Sequence, residues 1–171
     1  MTCVCAVEHG GKVYMGGDSA VSWSCDDAVF VATHRKVIRR GGMLLGLAGN
    51  LGTCTVAAAG LRPEPYVSGD PRTHILTAVL LPLRALLAEA KMDAEGCDLL
   101  IGCASRIYFA GLDGAVHGFD AGYAAIGSGS SYALGSLHTS RGTPAKRVRQ
   151  ALSAAVAHCA SVGGPLYVLS V

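Results

Sequence analysis

Thr2 follows Met1, and small second residues usually permit removal of the initiator methionine. Removal would leave a threonine carrying both a hydroxyl and a free α-amine. A hydroxyl alone is a weak nucleophile and needs a base beside it. An α-amine has an unperturbed pKa of about 7.7–8.0, so near neutral pH part of it is unprotonated and able to be that base. A cation close by lowers that pKa further. Lys36, if buried, supplies such a field, provided a carboxylate such as Asp18 holds it charged. While Met1 remains attached, the Thr2 nitrogen is an amide and this chemistry is closed.

Each of these residues also has a plainer reading. Threonine at a second position is ordinary, Asp18 after two glycines suits a turn, and a lysine in a strand is usually a surface charge. The run His34 to Arg40 is basic but alternates with apolar residues, as a solvated strand face does. Gly127-Ser128-Gly129-Ser130 fits a flexible turn or a phosphate loop, although no P-loop lysine follows it.

The elements that must position these groups follow from periodicity and turn residues. Strands are expected at 2–7 and 13–17, joined by Gly10-Gly11, with Asp18 where the second one ends. An irregular stretch covers 22–27. Further strands are expected at 28–32, 35–40 and 43–48, the last two joined by Gly41-Gly42. A short helix follows at 53–59, then a proline-bearing loop at 62–71. From Thr73, Leu76, Val79, Leu80, Leu83, Leu86 and Leu87 recur at helical spacing, with a kink or break expected at Pro82. Strands at 98–104, 107–112, 115–119 and 123–126 lead to a helix at 131–137. Thr143-Pro144 opens a helix to about residue 159, with Val148, Leu152 and Val156 facing inward. A strand at 166–171 closes the chain. This order lacks the regular alternation of a parallel α/β fold; two antiparallel sheets flanked by helices fit it better.

Several motifs in this order carry a resemblance. Thr2-Cys3-Val4-Cys5-Ala6-Val7, Gly16-Gly17-Asp18, Lys36-Val37, Gly46-Leu47-Ala48-Gly49 and Ala125-Ile126-Gly127-Ser128-Gly129-Ser130-Ser131-Tyr132-Ala133 resemble proteasome β-subunits and the bacterial HslV peptidase. The resemblance covers nearly the whole chain, and the step from Thr2 to Asp18 is the family's spacing. It implies the N-terminal-nucleophile (Ntn) hydrolase fold: an α+β, four-layer αββα sandwich, here one domain over residues 1–171. It also implies roles. Thr2 is the nucleophile with its α-amine as general base, and Asp18 and Lys36 form the polarising pair. The Gly46 N–H stabilises the oxyanion, and Ser128 holds the amine. Substrate contacts are expected at His34, Leu45 and Gly49.

The implied activity is threonine-type peptide hydrolysis inside a homo-oligomeric ring, acting on peptides or unfolded protein. An ATP-dependent unfoldase is a possible partner, and no cofactor is called for. The alternatives are a catalytically silent shell subunit of the same fold and a small-molecule amidohydrolase. A variant in which cleavage exposes Cys3 fits the spacing to Asp18 less well. Two departures stand out. Relatives carry an acid shortly before Ser-Gly-Gly, whereas here Cys159 falls at the acid and Val162 at the serine. Gly52-Thr53-Cys54 replaces an Ala-Asp pair that often follows the oxyanion glycine.

Composition narrows the classes. Of 171 residues, 51% are hydrophobic and only 15% charged, which argues for a substantial core and for surface covered by neighbouring subunits. The net charge of +2 is too small to point to nucleic acid. Seven cysteines, without a C-x-x-C pair and odd in number, suggest neither a zinc site nor a disulfide framework; Cys3 and Cys5 read as buried hydrophobes on one strand face. The apolar stretch 75–87 is too short for a membrane span and no signal peptide is visible, so a cytoplasmic protein is expected.

Overall fold

The computed structural model describes residues 2–22, 29–31, 35–92 and 96–171. Its first hairpin pairs β1 (Val4–His9) with β2 (Lys12–Gly17), turning at Gly10-Gly11. β10 (Tyr123–Ile126) and β11 (Tyr167–Ser170) flank that hairpin, giving the antiparallel order β10-β1-β2-β11. A second antiparallel sheet has the order β5-β6-β7-β8-β9, from β5 (Val37–Arg40), β6 (Met43–Gly49), β7 (Cys97–Cys103), β8 (Arg106–Gly111) and β9 (Val116–Gly118). A short hairpin, β3 (Ala20–Ser22) with β4 (Val29–Val31), lies between β2 and β5 in the chain.

Strand alternation explains the layering. Along β1, Val4 and Ala6 face the second sheet and pack with Met15, Leu44, Ala48 and Leu100. Cys3, Cys5 and Val7 face the other way, onto helices α4 (Ser130–Thr139) and α5 (Pro144–His158). Along β6, Leu45 and Leu47 meet α1 (Leu51–Gly60), α2 (Pro71–Ile75) and α3 (Leu81–Glu89), through Ala57, Ile75 and Leu83 among others. Period-two side-chain placement thus sends one strand into two different cores. Three apolar clusters separate four layers, helix, sheet, sheet, helix, which is the expected αββα sandwich.

Local signals hold with a few corrections. Thr143 caps α5, its hydroxyl accepting from Lys146 N–H, with Pro144 in the first turn. Asn50 caps α1, which starts two residues earlier than expected. Pro82 does not break its helix: α2 continues through a π turn at Leu76–Leu80 into α3, with αR backbone at both junctions. Leu81 N–H donates to Leu76 O, and this wider turn accommodates the donor missing at proline. On α5 the inward set is Val148, Ala151, Leu152 and Ala155; Val156 is 39% exposed, because 3.6 residues per turn carries it past the buried stripe. β3 falls where an irregular stretch was expected to begin.

Candidate active site

The carboxylate of Asp18, just past the end of β2 and wholly buried, gathers four donors from among the described residues. Oδ1 accepts from Lys36 Nζ at 2.8 Å and from Cys3 N–H at 2.9 Å. Oδ2 accepts from Ala20 N–H at 3.0 Å and Gly163 N–H at 3.2 Å. One side chain therefore fastens the start of β1, the exit of β2, the approach to β5 and the loop before β11. Lys36 is 5% exposed, whereas Arg35 and Arg39 in the same basic run are exposed. Its burial is tolerable because the charge is paired.

Thr2, 4% exposed, is the next residue along from that carboxylate's Cys3 contact. Its N–H donates to Ser128 Oγ at 3.2 Å. Its carbonyl accepts from Gly129 N–H at 3.2 Å and from the Ser128 hydroxyl at 3.3 Å. Gly127, at φ +86, makes this approach possible: a Cβ there would strike the Thr2 carbonyl oxygen. Thr2, Asp18, Lys36 and Ser128 are thus brought together from four distant stretches of sequence.

The other expected site residues fare differently. Leu45 is wholly buried in the helix-side cluster, so it offers no surface to a substrate; it points away from the face that Val4 and Met15 share. Gly46 does lie on that inner face, where a Cβ would sit 2.6 Å from Val4 Cγ1. Its N–H, however, does not face the β5 edge. Leu47 N–H donates to Lys36 O and Asn50 N–H to Gly96 O. Alternation along an antiparallel strand then sends the Gly46 N–H toward β7, where Leu100 is its register partner. The expected oxyanion role of that N–H is corrected accordingly. Gly49, exposed and at φ +126, ends β6 with its N–H on the β5 side. His34 lies outside the described residues.

Ser161 is a site residue that the sequence did not single out. Its hydroxyl is 3.1 Å from Ser128 Oγ and 3.2 Å from Cys159 Sγ. The serine expected at 162 is supplied one residue earlier, and Val162 packs with Cys3 in the helix-side core instead. The signal was the retained Gly163-Gly164 pair, with Gly163 reaching Asp18. Tyr167 adds a brace across the sandwich, its hydroxyl oxygen accepting from Val37 N–H at 2.9 Å. Burial pushes that phenol up to about 12, so it stays neutral. Among the described residues no cluster of His, Cys, Asp and Glu is suited to a metal ion, and no helix is long and apolar enough to cross a membrane.

With this geometry in hand, comparison with solved structures decides the fold. The BPH protein of Thiobacillus denitrificans, solved in complex with epoxomicin, superposes at a TM-score of 0.83 with 23% identity, covering 99% of this chain and 98% of its own. The chain has the proteasome-like Ntn fold. Eukaryotic HslV from Trypanosoma brucei matches at a TM-score of 0.71 with 19% identity, over 99% of this chain and 98% of that one. Anbu (ancestral beta-subunit) from Yersinia bercovieri gives 0.73 and 19%, over 99% and 80%. Comparison with family models and with curated protein sequences finds no match.

Proposed function

We propose that this chain is a threonine-type peptidase subunit that works within a homo-oligomeric ring. The observation carrying this reading is the buried Lys36–Asp18 pair, held against the backbone of Cys3 directly behind Thr2. A buried charge pair is expensive to assemble and is no efficient way to stabilise a fold. Beneath a candidate nucleophile it has a use: the lysine field keeps the amine of Thr2 unprotonated.

Once the amine is free, the hydroxyl oxygen of Thr2 attacks the scissile carbonyl carbon while its proton passes to the amine nitrogen. The tetrahedral adduct collapses, the C–N bond breaks, and the departing amine takes that proton. Water, deprotonated by the same amine, then cleaves the resulting ester and restores Thr2. Because Gly46 N–H faces β7 and Leu47 N–H is engaged by Lys36 O, the proposed donor to the substrate is the Gly49 N–H on the β5 edge. An unfolded chain threaded beside that edge would be the substrate, and an ATP-driven unfoldase the partner supplying it.

The test is an intact mass before and after incubation with epoxomicin. Loss of Met1 and a single adduct, absent in Thr2→Ala, is the expected result. Retained Met1 without an adduct would sink the catalytic reading and leave a silent shell subunit.

A further inference from the structure

A polar path starts at the Thr2 nitrogen and runs through two serines. Thr2 N–H donates to Ser128 Oγ, Ser128 Oγ lies 3.1 Å from Ser161 Oγ, and Ser161 Oγ lies 3.2 Å from Cys159 Sγ. The path runs from α4's approach to the loop after α5 and ends on a half-buried thiol. We infer that Cys159 is a positioning residue for Thr2, whose ionisation sets the direction of both serine hydroxyls and so the readiness of the Thr2 amine. This rests on the peptidase reading of Thr2.

The number of protons available fixes the direction of each bond. Each serine has one hydroxyl hydrogen and two lone pairs, and can point that hydrogen to only one neighbour. A thiolate only accepts, so Ser161 must donate to it. The lone pairs of Ser161 then face Ser128, which donates to Ser161. The lone pairs of Ser128 in turn face the Thr2 nitrogen and accept its N–H. Every bond runs one way, and a negative charge at the far end favours the ammonium that forms when Thr2 gives up its proton. A neutral thiol imposes neither direction, and Ser128 is then drawn to its other acceptor, the Thr2 carbonyl at 3.3 Å. A carboxylate at this place would hold its charge from mildly acidic pH upward; a thiol gains it only as pH rises.

The surroundings permit this. The Ser161 hydroxyl holds the Cys159 thiol below its ordinary value, burial working the other way and Asp18 opposing the second negative charge. The Cys3 thiol is also near, but burial and Asp18 push it up to about 12, so it stays neutral. Lys36 is paired to Asp18. His158, next in the chain, turns its ring toward Tyr132 on α4, with centroids 5.7 Å apart.

The test is the rate of epoxomicin labelling at Thr2, followed by intact mass across the neutral to alkaline range. Wild type should label faster as the thiol ionises. Cys159→Asp should lose that dependence and match or exceed wild type at neutral pH. Cys159→Ser should fall about tenfold at alkaline pH, the effect of one supporting hydrogen bond, and lose the same limb. Ser161→Ala, which leaves the thiol in place, should lose that limb too. Labelling of Cys159→Ser that superimposes on wild type at every pH would overturn the inference. A wild type with Met1 removed that takes no label at any pH would overturn it together with the peptidase reading. The two failures differ, since only in the first does Thr2 react.

Discussion

Asp18 accepts from a lysine and from three backbone N–H groups, so its two neighbouring substitutions should separate charge from scaffolding. Asp18→Asn removes the partner charge of a buried ammonium and is expected to cost about 3 kcal/mol or more. Lys36→Met removes the cation and fills its volume, leaving the carboxylate with its three backbone donors. It should destabilise less in urea unfolding, yet abolish epoxomicin labelling just as fully. If Lys36→Met labelled at the wild-type rate, the polarising role of the pair would be lost. The thiols offer a second check. Burial raises the pKa of Cys3 to about 12 and that of Cys5 well above the ordinary thiol value, whereas Cys159 is shifted down and half-exposed. A thiolate is the reacting form, so brief iodoacetamide treatment at mildly alkaline pH should alkylate Cys159 before Cys3 or Cys5, as read by peptide mass mapping.

Among the elements, hydrophobic period and turn glycines placed nearly every strand, because strand alternation and the Gly-Gly turns are written in neighbouring residues. What neighbouring residues do not encode is what the sequence left open. The π turn before Pro82 depends on how a long helix settles on a sheet, and the direction of the Gly46 N–H depends on which strands flank β6. The offset that gives Ser161 the place expected for residue 162 is set by a loop conformation. Asp18, Lys36 and Ser128 were legible through a resemblance of motifs, not through periodicity. The facing of α5 can be tested directly. Leu152→Ala empties a wholly buried site and should cost about 2–5 kcal/mol. Val156→Ala, at a residue 39% exposed, should stay within about 0.5 kcal/mol of wild type. Tyr167→Phe strands the Val37 N–H between the sheets and should cost about 1–3 kcal/mol in the same measurement.

For the molecule as a whole, the ring reading makes a claim about mass. Phe30 and Val31, adjacent on β4, are 53% and 65% exposed, apolar surface that a neighbouring subunit would cover in a ring. Sedimentation should give a multiple of the subunit mass, and a monomer at every concentration would leave Thr2 without an enclosing chamber. The Asp18 hub has one more consequence, in time. Gly163 lies 145 residues beyond the carboxylate it binds, and Ser161 supports Ser128 from the same loop. Synthesis runs from the amino end at about 5–20 residues per second, so Thr2 is made well before Ser161 and Gly163, which support its surroundings. On the peptidase reading, a nascent chain is inert until its residues 161–163 have been made and folded back onto the first strand. Chains ending before residue 160 should take no epoxomicin adduct even with Met1 gone, and labelling of such a fragment would show that the site matures without the loop between α5 and β11.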